Sequence, residues 1–254
     1  MTLQAHPTGA PAWVDLGTPD IDAVRAVYTD VMGWSISEGS PEFGGYCMAV
    51  SSDSEVAGIG PLAEGAPPAW LLYFATEDAD RTSASILENG GTIIMPTHAV
   101  GDAGRFVVAA DPTGAVFALW EAELMPGFGA TGRAGAWAWC DLRTPEPDAA
   151  REFYGAVFGW EYAAVPMAGD EYTTFTPSGG SFPAGGVGPM MGHDDLPPHW
   201  LCYFAVADVD VSVAAMDRLG GTVLSPAFDT PFGRMAPVLD PAGAACVLMQ
   251  LPTG

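Results

Sequence analysis

Two long segments of this sequence follow the same residue pattern, 126 positions apart. Trp13 corresponds to Trp139 and Trp34 corresponds to Trp160, so the interval is the same at both ends of the match. The match continues downstream with short insertions, as in Gly58-Ile-Gly60-Pro61 with Gly186-Val-Gly188-Pro189, and Asp111-Pro-Thr-Gly114 with Asp240-Pro-Ala-Gly243. Solenoid repeats run about 20–50 residues, so this longer period indicates a duplicated domain.

The duplication predicts two modules in the 254 residues. We place the first module at 10–125, a Gly-rich linker at 126–135 and the second module at 136–252. Each module is then of ordinary domain size, since single domains run from about 50 to 200 residues.

Each module reads as two β-α-β-β-β units. In the first unit, residues 13–16 alternate in polarity like a strand, and Thr18 or Asp20 is placed to cap a helix over 21–32 that Gly33 ends. Its remaining strands are predicted at 34–37, 46–51 and 56–61. The second unit has a strand at 69–76, a helix at 78–89, and strands at 92–95, 105–110 and 115–121. The predicted fold class is therefore α+β.

The residues after the first strand resemble those of a known superfamily. The second copy shows it best, with Thr144-Pro145-Glu146 before the helix and Arg151-Glu-Phe-Tyr154-Gly-Ala-Val-Phe-Gly159-Trp160 at its end. This pattern resembles the vicinal oxygen chelate superfamily, which contains glyoxalase I, bleomycin-resistance proteins and extradiol dioxygenases. The likeness covers nearly the whole chain, twice, and is greatest to tandem glyoxalase-like proteins of actinobacteria. It implies two tandem modules, in each of which the paired β-α-β-β-β units form a U-shaped mixed sheet.

Members of that family bind a divalent metal through His, Gln or Glu at defined strand positions. The resemblance maps those positions onto residues without an imidazole, carboxylate or thiolate group, which a metal site requires. They are Trp13, Leu71 and Ala118 in the first module, and Trp139, Leu201 and Val247 in the second. The sequence therefore predicts the family scaffold without its metal and without another cofactor.

Other metal-binding side chains are poorly placed for such a site. Glu121, whose counterpart is Gln250, faces away from the cavity by strand parity, and becomes a ligand only if the strand register slips. His199 begins a strand and has Ala69 as its counterpart, so a structural or solvated role is favoured over a functional one. The four histidines are expected in the N-terminal tail, a loop or a connector, at His6, His98, His193 and His199.

Strand alternation predicts which side chains line the cavity instead. Residues two apart on a strand share a face, so the neighbours of the mapped metal positions also point inward. The first cavity is expected to be lined by Trp13, Asp15, Leu71, Tyr73, Ala118 and Trp120. The second is expected to be lined by Trp139, Asp141, Leu201, Tyr203, Val247 and Met249. Apolar walls with a few polar groups are typical of a pocket for a flat or hydrophobic organic molecule.

The repeated Asp and Tyr are the candidate catalytic residues. Burial among aromatic rings is expected to raise the pKa of Asp15 and Asp141, which suits general acid–base chemistry. The alternative is that each Asp binds a backbone N–H or an Arg and only stabilises the fold. The same strand pattern is compatible with three roles for Tyr73 and Tyr203. Each is a proton donor, an aromatic wall on which a ligand stacks, or a core residue with a hydrogen-bonded hydroxyl.

Two arginines occupy matching positions before a strand. Arg105 and Arg234 each follow a glycine, and they are two of only eight basic residues in the chain. A guanidinium there needs either a carboxylate partner or an anionic ligand, and a structural carboxylate partner is favoured.

Composition excludes several classes of function. The net charge is −23 and no lysine is present, so the surface repels nucleic acid, and lysine Schiff-base and P-loop chemistry are ruled out. No signal peptide or long apolar run for a membrane is found. Cys47, Cys140, Cys202 and Cys246 lack metal-site spacing and lie in apolar runs, which indicates buried thiols in the reducing cytoplasm.

Four functions compete on this evidence. The first is a protein that binds a small hydrophobic or aromatic molecule, and the second is a metal-independent isomerase, cyclase or hydrolase that uses Asp15 or Asp141 with Tyr. A metal-dependent lyase or dioxygenase ranks third, and a regulatory interaction protein ranks fourth. Because family modules pair to build their sites, two modules in one chain predict a monomer or weak dimer.

Overall fold

The computed structural model describes residues 6–62, 64–169, 171–192 and 195–252. These residues form four α-helices, α1 Ile21–Met32, α2 Ala79–Glu88, α3 Pro147–Phe158 and α4 Val209–Arg218, and a short 3-10 helix, Pro166–Ala168. The first repeat supplies strands β1 Pro11–Thr18, β2 Ser35–Ile36, β3 Cys47–Ser51, β4 Ser54–Pro61, β5 Ala69–Ala75, β6 Thr92–Val100, β7 Gly104–Ala110 and β8 Val116–Ala122. The second supplies β9 Ala136–Arg143, β10 Glu161–Ala164, β11 Thr173–Thr176, β12 Gly185–Gly188, β13 His199–Ala205, β14 Thr222–Val223, β15 Phe228–Thr230, β16 Gly233–Leu239 and β17 Ala245–Gln250.

The strands form two mixed sheets with the same topology. The first has the order β2-β3-β4-β1-β5-β8-β7-β6, and the second has β10-β11-β12-β9-β13-β17-β16-β14, with β15 paired to β16. In both, the first strand of a unit pairs in parallel with its last, as β1 does with β4 and β13 with β17. The predicted α+β class with two tandem modules of paired β-α-β-β-β units is confirmed.

Capping residues explain where the first helix begins and ends. The side chain of Asp20 accepts a hydrogen bond from Ala23 N at 3.0 Å, so Asp20 is the N-cap. Gly33 ends the helix with φ 70°, a left-handed conformation that glycine adopts without a steric penalty. Gly159 ends α3 in the same way, with φ 68°.

Strand β6 is longer than predicted, and it contains His98, which was expected in a loop. It runs through Pro96 to Val100 rather than ending near Met95, and its register with β7 shifts between Ile93 and Met95 and again between Met95 and His98. Proline is tolerated there because β6 lies at the edge of its sheet. His98 therefore lies in a strand, opposite Phe106, and not in a loop. His193 lies outside the described residues.

The chain folds into two compact units, each of which takes part of both repeats. Unit 1 contains the described residues of Met1–Trp13, Leu72–Gly127 and Cys140–Trp200. Unit 2 contains those of Val14–Leu71, Phe128–Trp139 and Leu201–Gly254. Within unit 2 the predicted linker is well packed, since Gly129 N donates to Glu55 O at 2.8 Å and Arg133 Nη2 donates to Ser51 O at 2.7 Å.

The core of each unit contains a hydrogen-bonded Trp–Tyr–Asp chain. In unit 2, Trp70 Nε1 donates to Tyr28 Oη at 3.1 Å, and Tyr28 Oη donates to Asp240 Oδ2 at 3.1 Å. Unit 1 repeats this arrangement with Trp200, Tyr154 and Asp111, at 3.0 and 3.1 Å. Burial raises the pKa of both tyrosines well above the usual value. Each Asp belongs to the Asp-Pro-x-Gly turn of one repeat, and its Tyr and Trp belong to the other.

All four cysteines lie in the described part of the chain, where they are buried and form no disulfide, as expected. Burial raises the pKa of the Cys202 thiol to about 12. Among the described residues, no helix is long and apolar enough to cross a membrane.

Candidate functional site

Asp15 forms a hydrogen-bonded pair with a tyrosine that the sequence analysis did not select. Tyr46, which precedes β3, donates from its Oη to Asp15 Oδ1 at 2.7 Å. Gly58 lies beside Asp15 in the parallel β1–β4 pair. A Cβ at Gly58 would lie 1.7 Å from Tyr46 Oη and 2.1 Å from Asp15 Oδ1, so a glycine is needed for this pair to form.

The second repeat contains the same arrangement within unit 1. Tyr172 Oη donates to Asp141 Oδ1 at 2.8 Å, and Gly186 lies beside Asp141 in the β9–β12 pair. A Cβ at Gly186 would lie 2.0 Å from Tyr172 Oη and 2.4 Å from Asp141 Oδ1. The repeated Asp–Tyr pair is therefore a property of the duplicated unit.

An arginine distinguishes the second pair from the first. Arg143 Nη2 lies 2.6 Å from Asp141 Oδ2, and its guanidinium carbon lies 5.5 Å from the centre of the Tyr172 ring. The Arg143 side chain is only 13% exposed and that of Asp141 only 4%. Gly17 occupies the position corresponding to Arg143, so the first repeat has no side chain there.

The sequence contained a signal for these missed residues. Tyr46 and Tyr172 are separated by the same 126 positions as Asp15 and Asp141. The repeated Gly-x-Gly of β4 and β12 also indicates a close approach of another group, since glycine in a strand weakens it without such a reason. The strand parity that selected Asp141 also selects Arg143, two residues further along β9.

Unit 1 brings three predicted residues of the first cavity together. Ala118 lies beside Tyr73 in the parallel β5–β8 pair, and the Tyr73 and Trp120 rings meet edge to face at 6.5 Å. Phe106 joins this group at 6.3 Å from the Tyr73 ring. Trp13 is buried on β1. This part of the first repeat is therefore an aromatic group, and its role as a cavity wall stays a prediction.

Unit 2 brings five predicted residues of the second cavity together. Tyr203, Val247 and Met249 form a buried cluster, against which the half-buried Trp139 and Leu201 pack. We call these five residues the apolar cluster. It lies on β9, β13 and β17 and contains three of the positions mapped from the family's metal ligands, Trp139, Leu201 and Val247. The predicted catalytic roles of Asp15, Asp141, Tyr73 and Tyr203 stay predictions, and the tyrosines bonded to the two aspartates are Tyr46 and Tyr172.

Both repeated arginines bind carboxylates, as the favoured interpretation predicted. Arg105 Nη2 lies 2.6 Å from Glu121 Oε2, and its Nη1 lies 3.1 Å from Asp80 Oδ2. These hydrogen bonds raise the pKa of Arg105 above its usual value. Arg234 is held 2.9 Å from Asp210 Oδ1 and 3.1 Å from Asp229 Oδ1. Ligand binding by these arginines stays a prediction.

Glu121 and Gln250 support the start of a helix in each repeat. Glu121 Oε2 accepts a hydrogen bond from Ala79 N at 2.8 Å, and Gln250 Oε1 accepts one from Val209 N at 3.2 Å. Each acceptor satisfies an N–H of the first helical turn, which has no partner within the helix. His199 is the first residue of β13 rather than part of a connector, and its Nδ1 lies 2.9 Å from Pro197 O.

The residues at the family's metal positions do not fit a divalent metal. Trp13, Ala118 and Val247 are buried carbon or indole side chains, and the remaining three positions are Leu71, Trp139 and Leu201. In 6–62, 64–169, 171–192 and 195–252, no three His, Cys, Asp or Glu residues are grouped so that they can hold a metal ion.

The repeated β-α-β-β-β units with their apolar and Asp–Tyr sites define a class of proteins that bind or convert small molecules. The chain belongs to the Glyoxalase/Bleomycin resistance protein/Dioxygenase superfamily, whose family model matches residues 10–119 and 137–248.

Curated relatives match nearly the full length. The chain is 36% identical over 243 residues to the putative glyoxylase CFP32 of Mycobacterium tuberculosis. This alignment covers 93% of this chain and 92% of the relative. It is 37% identical over 266 residues to the anthracycline biosynthesis protein DnrV of Streptomyces peucetius, and this alignment covers 97% of this chain and 94% of the relative.

Solved structures share the fold at low sequence identity. The Mn(II)-bound glyoxalase from Novosphingobium aromaticivorans aligns with a TM-score of 0.66 and 16% identity, covering 96% of this chain and 82% of that one. The 2,3-dioxygenase LapB from Pseudomonas sp. KL28 aligns with a TM-score of 0.64 and 15% identity, covering 98% and 96%.

Proposed function

We propose that this protein binds a small hydrophobic or aromatic organic molecule in the aromatic-lined cavity, without the usual metal of the family. The observation that carries the proposal is the apolar cluster of unit 2, where Trp139, Leu201, Tyr203, Val247 and Met249 lie together. Carbon side chains at ligand-bearing positions make a surface that favours an apolar molecule.

The Asp15–Tyr46 pair, which belongs to unit 2 like the apolar cluster, supplies the polar part of this proposed site. Asp15 lies on β1, two residues beyond the mapped position Trp13. A few polar groups in an apolar pocket fix the orientation of a ligand. A relative named for anthracycline biosynthesis supports an aromatic ligand, because anthracyclines contain a flat polycyclic ring system.

Binding of 1,4-dihydroxyanthraquinone, measured by calorimetry and tryptophan fluorescence in EDTA, tests the proposal. The wild-type protein is expected to bind this flat probe, and Val247→Phe to weaken binding at least tenfold because the larger ring fills the apolar cluster. Leu224→Phe is the matched control, since Leu224 is 53% exposed and outside the cluster. No binding across a panel of flat aromatic probes, or equal binding by both variants, contradicts the proposal.

The second candidate is a metal-independent enzyme that uses Asp15 or Asp141 for proton transfer. The repeated Tyr–Asp hydrogen bonds of 2.7 and 2.8 Å favour it, because a positioned carboxyl and phenol can exchange a proton with a bound molecule. Asp15→Asn and Asp141→Asn keep the shape of the side chain and remove the base.

Mass spectrometry of incubated probes separates the two candidates. Conversion that is lost in an Asp→Asn variant whose probe affinity is kept supports the enzyme. Binding with no converted product supports the binding protein. Stoichiometric zinc, nickel, manganese or iron in the purified protein, needed for conversion, overturns both in favour of a metal-dependent lyase or dioxygenase.

A further inference from the structure

The indole N–H of Trp137 is a buried hydrogen-bond donor in unit 2. Trp137 lies on β9 and is 8% exposed, and its Nε1 has no acceptor among the residues that the structure describes. An indole N–H can only donate a hydrogen bond. Burying it without an acceptor is unfavourable, because the bond that it makes to water in the unfolded chain is lost. A donor in this position therefore requires an explanation.

Other buried tryptophans of this chain do have acceptors. Trp34 Nε1, in the same unit, donates to Gly135 O at 2.7 Å. Four more donate to acceptors at 2.8–3.1 Å, and these are Trp70, Trp120, Trp160 and Trp200. All five are at least as buried as Trp137. The lack of an acceptor within the described residues is therefore specific to the position of Trp137.

Trp137 lies next to the apolar cluster along β9. Residues two apart on a strand share a face and are about 7 Å apart, so Trp137 points to the same side of β9 as Trp139, a member of the cluster. The Trp137 ring stacks on Phe128, with ring centres 5.3 Å apart and 22° between the planes. Phe128, Trp137 and the whole cluster belong to unit 2. The donor thus adjoins the surface on which the aromatic molecule is proposed to bind.

We infer that Trp137 Nε1 donates a hydrogen bond to a carbonyl oxygen of the ligand, so that the site proposed in unit 2 takes a flat aromatic ketone or quinone. This inference rests on the proposed function, because it concerns the ligand of the same site. It names the chemical class of that ligand and a further residue that determines specificity.

A neutral carbonyl oxygen is the acceptor that suits this donor. A conjugated carbonyl lies in the plane of its ring system and accepts hydrogen bonds near that plane, so the ring faces remain free to contact apolar side chains. A carboxylate is disfavoured, because a chain of net charge −23 repels anions and an apolar surface does not stabilise a charge. A pure hydrocarbon leaves the buried N–H without an acceptor.

Because Nε1 is buried, a ligand reaches it only when neighbouring side chains move. Met249 belongs to the apolar cluster and Met235 packs against it. Methionine side chains are unbranched and adapt to different shapes, so these two residues provide the adjustment that a flat ligand needs.

The test compares 9-fluorenone with fluorene, two flat molecules of the same shape that differ by one carbonyl oxygen. In tryptophan fluorescence titrations with EDTA, the wild-type protein is expected to bind fluorenone at least tenfold more tightly, although fluorene is the more hydrophobic probe. Trp137→Phe keeps an aromatic ring beside Phe128 and removes the N–H. We expect the preference to fall below twofold in this variant.

Trp34→Phe is the same substitution at another buried tryptophan of unit 2, outside the apolar cluster. It is expected to keep the fluorenone preference. It should also lower the urea midpoint of unfolding more than Trp137→Phe does, since only Trp34 loses a hydrogen bond within the described residues. NMR of the protein with ¹⁵N-labelled indoles provides a direct readout. Fluorenone, but not fluorene, is expected to shift downfield the indole N–H resonance that Trp137→Phe lacks.

The outcomes separate this inference from the proposed function. If neither probe binds the wild-type protein, and the wider aromatic panel also fails, the proposed function is wrong and the inference falls with it. If any aromatic probe binds, but the wild-type protein does not prefer carbonyl-bearing probes or Trp137→Phe keeps that preference, the inference is overturned and the proposed function stands.

Discussion

In each Asp–Tyr pair, the position of the tyrosine depends on a neighbouring glycine that has no side chain. In both repeats the tyrosine reaches its aspartate only because a glycine faces the pair, at Gly58 and Gly186. The hydrogen bond and the glycine therefore depend on each other. This dependence explains why both were kept after duplication at matching places in the chain.

Gly58→Ala is expected to destabilise the protein by about 1–3 kcal/mol, because the new Cβ displaces Tyr46 and breaks its hydrogen bond to Asp15. Urea unfolding measures the change. Gly60→Ala is the matched control on the same strand, since a Cβ there lies 3.4 Å from Tyr46 Cδ2 and displaces little. Equal effects of the two substitutions would show that the Tyr46 contact is not the cause.

At the scale of elements, local patterns predicted most of the fold. Helix α1 was predicted over 21–32 and is observed at Ile21–Met32, because Asp20 and Gly33 cap it by contacts within a few residues. Strand β6 was predicted too short, since Pro96 is tolerated only because of the strand's edge position, which the local sequence does not reveal.

The candidate site was predicted less completely, for the same physical reason. Parity placed Asp15 and Asp141 on their strands, and five of the six residues predicted for the second cavity lie together in the apolar cluster. Tyr46 and Tyr172 each lie 31 positions from their aspartate, just before another strand, where periodicity carries no information. Only comparison of the two repeats could have selected them.

The Trp–Tyr–Asp chains join separate elements, and Tyr28→Phe tests their contribution. The substitution leaves Trp70 Nε1 without its acceptor and Asp240 Oδ2 without its donor, and both groups are buried. We expect a loss of about 1–3 kcal/mol in the free energy of unfolding, measured in urea. Tyr162→Phe is the control, since its buried Oη has no hydrogen-bond partner among the described residues. An equal loss in both variants would contradict the role of the chain.

The whole molecule should lose stability at alkaline pH through its buried tyrosines. Burial raises the pKa of Tyr28, Tyr154 and Tyr162, whereas the unfolded chain ionises them near pH 10. A raised folded pKa means that the stabilisation is fully present below pH 10 and is lost as the pH rises above it. Tyrosinate absorbance at 295 nm should therefore come from at most four of the seven tyrosines in the folded protein at pH 11. Titration of all seven before unfolding would show that these three phenols are accessible.

Each compact unit contains parts of both repeats, and this arrangement affects the expected oligomeric state. Each compact unit takes one half of the first repeat and one half of the second, so one chain supplies both halves of every unit. Tyr28 of the first repeat thus finds Asp240 of the second, and Tyr154 finds Asp111, without another subunit. We therefore expect a monomer or weak dimer, with a mass of 26.3 kDa by light scattering after gel filtration at low concentration. A tetramer that persists on dilution would mean that a further surface of the chain drives association, and this expectation would then be wrong.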